Sequence, residues 1–178
     1  MKTVKLKDGS EIVIRKAEVD DAEQMDLFKQ YISQESDFLS YGANEIEESA
    51  ESQARLIQSA NLAENSVIIL AIVNEEIAGF VTFNGGFRVR KKHSGDMGIA
   101  VRKKYWGKGI GNLLVEALIE WARNTETVRK INLLTRTDNT TAISLYEKYG
   151  FIKEGILTRD VCINGVFYDS FSMGFFID

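Results

Sequence analysis

The chain has 178 residues and 44% apolar content, the profile of one ordinary globular domain rather than a disordered or membrane chain. No apolar run approaches the roughly 20 residues of a membrane-spanning helix, Met1–Asp8 lacks the apolar core of a signal peptide, and a net charge of −4 speaks against nucleic-acid binding by the whole surface. With one cysteine no internal disulfide can form, which fits a cytoplasmic protein, and Cys162 in the apolar run Val161-Cys162-Ile163 is expected to be a buried thiol.

In chain order, Glu11–Lys16 alternates around Ile12 and Ile14 and reads as a first strand. From Asp20, an N-cap by type, Met25, Leu27, Phe28 and Tyr31 recur at helical spacing, and a second helix is expected over Glu45–Ala60. Val67–Val73 is an unbroken apolar run, the pattern of a strand covered on both faces, and Asn74-Glu75-Glu76 turns it into a hairpin with Ile77–Phe83. Asp96–Val101 is the next strand. Gly107–Gly111 then opens a helix whose stripe is Ile110, Leu113, Leu114, Ala117, Leu118 and Trp121. Ile131–Leu134 reads as a strand. Ala142, Leu145, Tyr146 and Tyr149 mark a helix capped near Asn139 or Thr140 and stopped at Gly150. Two strands, Phe151–Ile156 and Val166–Ile177, close the chain, which shows no linker, repeat or low-complexity tract. The order predicts a single α/β domain over residues 1–178, with a mixed sheet of about seven strands and helices on both faces.

Charge is unevenly spread. Acidic residues crowd the first third, at Glu18-Val19-Asp20-Asp21 and Glu45-Ile46-Glu47-Glu48, and basic ones the middle, at Arg88–His93 and Arg102-Lys103-Lys104. An acidic half beside a basic strip suits a cationic substrate and an anionic cofactor, although solvated faces of opposite sign would look the same.

Gly107-Lys108-Gly109-Ile110-Gly111 sits between a strand and a helix, where glycines let backbone N–H groups approach an anion and the helix N-terminus adds positive potential. A tight turn with no ligand would use the same residues. A P-loop would need Ser or Thr after Gly107-Lys108, where Gly109 stands, and a dinucleotide fold would need its glycines directly after the strand, where Arg102–Trp106 intervene. Both patterns fail. The stretch Asp96–Gly111, with Lys104, Gly107, Lys108, Gly109 and Gly111, resembles the coenzyme A signature of the GCN5-related N-acetyltransferases, departing from it in Lys104 at the position usual for Gln or Arg and in Lys103 where many members have proline. A second block, Thr137–Phe151, with Asn139, Ala142, Tyr146 and Gly150-Phe151, resembles the closing helix and strand of the same family.

The resemblance implies acetyl transfer from acetyl-CoA to a primary amine by direct attack in a ternary complex, with no metal. A non-catalytic coenzyme A-binding domain is the alternative. It implies that Ile99, Ala100 and Val101 hold the pantetheine arm, with the Val101 N–H facing the thioester oxygen, that Trp106, Gly107, Lys108, Gly109, Ile110, Gly111 and Asn112 line the pyrophosphate, and that Asn139 contacts the arm. Tyr146 is the expected general acid. A phenol of pKa about 10 facing a thiol of about 8.5 leaves the transfer uphill by about 2 kcal/mol. An alkyl ammonium of pKa about 10.4 is neutral in only about one molecule in a thousand at pH 7, so a base is needed. Asp96 is the first candidate, ahead of His93 and Glu35, and Glu35 is also expected beside the substrate groove. The tail, with Glu154-Gly155-Ile156, Ile163–Asp169 and Met173, resembles spermidine and ribosomal-protein acetyltransferases alike, and Glu35, Asp37, Glu45, Glu47 and Glu48 would suit a polyamine or merely decorate a helix N-terminus, so the expected acceptor is a polyamine, a peptide N-terminus, or an amino acid or other small amine. The resemblance also allows a homodimer with Phe171–Ile177 as its edge, although burial inside the same sheet would read identically.

Overall fold

The computed structural model describes residues 1–6, 9–42, 45 and 49–178. Its elements are β1 (Lys2–Lys5), β2 (Glu11–Lys16), a 3-10 turn at Val19–Asp21, α1 (Ala22–Glu35), α2 (Ala50–Leu62), β3 (Ser66–Val73), β4 (Glu76–Gly85), β5 (Ser94–Val101), a 3-10 turn at Lys103–Tyr105, α3 (Ile110–Arg123), β6 (Lys130–Arg136), α4 (Thr140–Lys148), β7 (Ile152–Ile163) and β8 (Val166–Phe176). The strands form one sheet in the order β1-β2-β3-β4-β5-β6-β8-β7, and β5–β6 is its parallel pair among antiparallel neighbours.

That is an α/β fold with eight strands among the described residues rather than seven. The additional strand, β1, has a single half-buried residue, Val4, and so leaves almost no periodic trace in the sequence. The second helix begins at Ala50 rather than Glu45, where Ser49 accepts the Ser52 N–H as its cap. Residues 46–48 of the expected helix lie outside the described residues. α1 starts at Ala22, after the 3-10 turn that Asp20 belongs to.

Both faces of the sheet are covered, which is why β3 reads as an unbroken apolar run. Ile68, Leu70, Phe80 and Ala100 pack against Met25, Phe28, Ile32 and Ile57 of α1 and α2. On the other face Val67, Ile69, Val81, Phe83 and Ile131 pack against Leu114, Val115 and Leu118 of α3. No helix among the described residues is long and apolar enough to cross a membrane.

Two expectations at the C-terminus fail for one reason. β8 lies between β6 and β7, so Phe171–Ile177 is not a sheet edge; β7 is. β7 also runs on to Ile163, through a bulge at Leu157–Val161 with Arg159 at φ 56°. On this edge Cys162 is exposed rather than buried, despite its apolar neighbours.

The feature that creates the site is the β5–β6 pair. Only Ser94↔Lys130, Gly95↔Ile131 and Asp96↔Asn132 are paired, and beyond them the strands part. The Asn132 side chain closes the apex, donating to Ser94 Oγ at 2.9 Å and to the Gly95 carbonyl at 3.0 Å.

Candidate active site

A cleft of about 1370 Å³ enters the wedge between β5 and β6 and continues under α1 and α2. Asp96, Ile99–Val101, Trp106–Asn112, Asn139 and Tyr146 all line it. The residues of β5 divide by hydrogen bonding. Gly86 donates to Ser94 at 2.9 Å and Arg102 to Ala78 at 3.0 Å, so the hydrogen-bonded pairs with β4 fall on the even-numbered residues of β5. The backbone of Ala100 is therefore tied to Phe80, and Ala100 offers the cleft only its surface. The C=O of Met97 and the N–H and C=O groups of Ile99 and Val101 point into the wedge, past the last pair with β6, where no strand meets them. The Trp106 indole occupies the Val101 carbonyl at 2.7 Å, leaving the Val101 N–H.

Past Val101 the chain turns through Gly107 at φ 74° and Gly109 at φ 84°, backbone conformations that other residues adopt at a cost. Gly109 is the N-cap of α3 and supplies no capping side chain, so the N–H groups of the first helical turn, Ile110, Gly111 and Asn112, face outward unsatisfied by the helix. A Cβ at Gly107 or Gly109 would meet nothing within 4 Å. This is a backbone cradle for an anion at a helix N-terminus. Lys108 stands beside it, its Nζ 5.5 Å from the Tyr105 ring centre, and Glu76 holds the Lys104 Nζ at 2.6 Å.

The N-terminus of α4 forms the opposite wall. Asn139 caps it, accepting the Ala142 N–H at 3.2 Å, and itself lines the cleft. Tyr146 is 6% exposed and packs on Phe151, ring centres 5.8 Å apart. Burial pushes its phenol up to about 12. Its hydroxyl has no hydrogen-bond partner among the described residues, yet no buried side-chain polar atom there is unsatisfied, so the oxygen reaches the open cleft. Tyr149, on the same helix, instead donates to the Asn112 carbonyl at 3.1 Å.

Asp96 is exposed at the wedge apex and is the one carboxylate among the described residues lining the cleft. His93 lies in the loop before β5 and does not line it. Neither does Glu35. Its carboxylate takes the Arg102 Nε at 2.8 Å and the Lys103 N–H at 2.7 Å, so it is not disposed as a substrate ligand. Of the other acidic residues expected to meet a polyamine, Asp37 is exposed and does not itself line the cleft, Glu45 accepts the Gly42 N–H, and Glu47 and Glu48 lie outside the described residues.

Sequence reasoning placed the chain around Glu35 beside the groove but missed Leu39–Tyr41, which wall the inner cleft together with Ser36 and Phe38, and the residue that fixes this segment, Arg136. The Arg136 guanidinium is 8% exposed, pairs with Asp138 at 2.6 and 3.0 Å, donates to the Asp37 carbonyl at 2.9 Å, and stacks on Tyr168 and Phe38 at 3.7 and 4.8 Å. Hydrogen bonding to Asp138 holds it above its ordinary pKa. An arginine closing an apolar strand was the available signal.

Comparison with known proteins agrees with this geometry. The family model described as the acetyltransferase (GNAT) family matches residues 26–151. An L-amino acid N-acetyltransferase of Escherichia coli is 31% identical over 105 residues, 59% of this chain and 65% of that one, so the match spans less than two thirds of that relative's length. A solved structure from Streptococcus pneumoniae, described as an acetyltransferase of the GNAT family, superposes with a TM-score of 0.91 at 35% identity, covering 94% of this chain and 99% of that chain. A Salmonella typhimurium structure described with its cofactor acetyl-CoA shares the fold at a TM-score of 0.83 and 17% identity, covering 94% of each chain. With its wedge-shaped sheet and uncapped glycine turn, the chain belongs to the acetyltransferase (GNAT) family.

Proposed function

We propose that the protein transfers an acetyl group from acetyl-CoA to a primary amine by direct attack in a ternary complex. The observation that carries this reading is the unpaired inner edge of β5 running straight into the uncapped N-terminus of α3. An extended amide-bearing arm that ends in a pyrophosphate matches both: the strand edge supplies alternating N–H and C=O groups, and the helix start supplies N–H groups to an anion.

When bound, acetyl-CoA supplies the thioester carbonyl and a thiolate leaving group. The Ile99 backbone holds the arm from one side and the Asn139 amide from the other. Gly107, Gly109, Ile110, Gly111 and Asn112 turn their N–H groups to the pyrophosphate, with Trp106 and Lys108 at its rim. The Val101 N–H, fixed because the indole of Trp106 holds the carbonyl of the same residue, stabilises negative charge growing on the thioester oxygen. Tyr146 holds its proton on Oη for the departing sulfur, and Asp96 accepts a proton from the ammonium, directly or through water. One carboxylate in the cleft supports an acceptor that presents a single ammonium.

The test is thiol release from acetyl-CoA across polyamines, amino acids, aminoglycosides and peptides with varied N-termini. Turnover of one class supports the reading and names the acceptor. Silence across the panel with tight coenzyme binding would replace it with a binding module.

A further inference from the structure

A strongly positive patch lies outside the cleft. The loop between β4 and β5 carries Arg88, Arg90, Lys91 and Lys92, and Arg129 joins them by donating its N–H to the His93 carbonyl at 2.7 Å. Residues 87–93 are all exposed, Phe87 at 90% and Val89 at 83%. None of these cations is in an ion pair among the described residues. The loop has a fixed shape. Asn65 Nδ2 donates to the Gly86 carbonyl at 3.1 Å and the Lys92 carbonyl at 2.9 Å, and the Lys91 N–H donates to the Arg88 carbonyl at 2.7 Å.

Its place relative to the cleft matters. The loop closes at Ser94, and Asp96 stands two residues further along β5, about 7 Å away at the rise of a strand. An extended acceptor with its amine at Asp96 and its chain running toward Ser94 would reach the loop from about its third residue. The −4 of the whole chain less the +4 of this loop leaves −8 elsewhere. Such a surface repels a long polyanion, while a short acidic segment senses mainly the patch within a Debye length of about 8 Å.

We propose that the β4–β5 loop docks an acidic polypeptide segment, the part of a peptide acceptor that follows its acetylated amine. The proposal rests on the acyl-transfer reading above. Arg88, Arg90, Lys91 and Lys92 meet the carboxylates, and Phe87 and Val89 meet the apolar side chains between them.

The experiment measures fluorescence anisotropy of two peptides of about ten residues, each with a free N-terminus and a C-terminal dye. One carries glutamates at its third to sixth positions and the other glutamines. The wild type should bind the glutamate peptide about tenfold more tightly, and the preference should vanish in R88A/R90A/K91A/K92A and at about 0.5 M salt. Equal binding of the two peptides by the wild type overturns the proposal, as does a preference that survives the fourfold variant. Tighter binding of a single-stranded RNA or of phosphatidylserine vesicles through the same loop overturns it in favour of another partner. Thiol release with a small amine should be unchanged in the variant, and a fall there would show that the substitutions act through the cleft. Failure of acyl transfer itself would appear as wild-type silence in thiol release, independent of the anisotropy.

Discussion

Replacing Tyr146 with phenylalanine deletes one oxygen from a 6% exposed side chain and leaves its ring against Phe151. Burial pushes the phenol up to about 12, so full proton transfer to a thiolate whose acid lies near 8.5 is uphill by about 5 kcal/mol, more than the 2 kcal/mol of an unperturbed phenol. Such a group acts chiefly by hydrogen bonding to sulfur as charge accumulates, and passes its proton late. Its loss should raise the barrier by about 3–4 kcal/mol, a fall in kcat of about 10²–10³. KM for acetyl-CoA should stay within about threefold, because the hydroxyl contributes in the transition state rather than the ground state. Thiol release at saturating acetyl-CoA, with kcat and KM resolved separately, measures both. An unchanged kcat removes Tyr146 from the mechanism, and a raised KM with kcat intact makes it a binding residue. The same burial has a signature in stability. A folded pKa of about 12 above an unfolded value of about 10 means the native state holds the extra proton between them. The contribution is full below pH 10 and is lost as pH rises through 12, by up to about 2.7 kcal/mol. Tyr146→Phe lacks this term, so its stability should fall less steeply than the wild type's over that interval in denaturant titrations.

Asp96→Asn should lower turnover about 10²-fold and change the shape of the kcat/KM pH profile; an identical profile ends its role as base. Gly109→Ala places a Cβ in open space but at φ 84°, so the protein should fold with about 1–2 kcal/mol of strain while KM for acetyl-CoA rises about tenfold. An unchanged KM would mean that the turn holds no anion. Glu35→Ala strips Arg102 of its closest carboxylate and should lower Tm by several degrees and raise KM for both acetyl-CoA and amine. A rise confined to the amine would restore Glu35 as a substrate ligand.

What the sequence made legible is what is local in the chain. β5, the glycine turn and α3 are one continuous stretch whose strand period, glycines and apolar stripe can be read directly, and α4 announces its cap to within one residue, at Asn139 or Thr140, and its stop at Gly150, which sits at φ 93°. The edges were illegible because hydrophobic periodicity records burial, and β1 and most of β7 bury almost nothing. Cys162 was misplaced by its apolar neighbours for that reason. Long-range pairings left no trace either. Glu35 reads as a free acid until Arg102, 67 positions away, closes on it, and the Arg136 contact to Asp37 spans 99 positions.

Those two arginines flank the mouth of the wedge. A parallel pair that parts after three residue pairs leaves N–H and C=O groups unmet on β5, and a sheet gains by pairing them. The ends of both strands are tied to other elements instead. Arg102, just past the end of β5, is locked by Glu35 and Glu76 and lies 4.3 Å from the Tyr31 ring. Arg136, at the end of β6, is locked by Asp138 and by the Asp37 carbonyl. Glu35 and Asp37 flank one residue, Ser36, where α1 ends. The C-terminus of α1 therefore bridges the mouth of the wedge, with one strand end anchored on each side of Ser36. Arginine suits both anchors because its planar fork can engage a carboxylate and stack on an aromatic ring together, with guanidinium groups that stay charged when nearly buried. The residue expected to bind substrate thus ties the end of β5 to α1, and the wall of the inner cleft, Ser36–Tyr41, begins at the bridge.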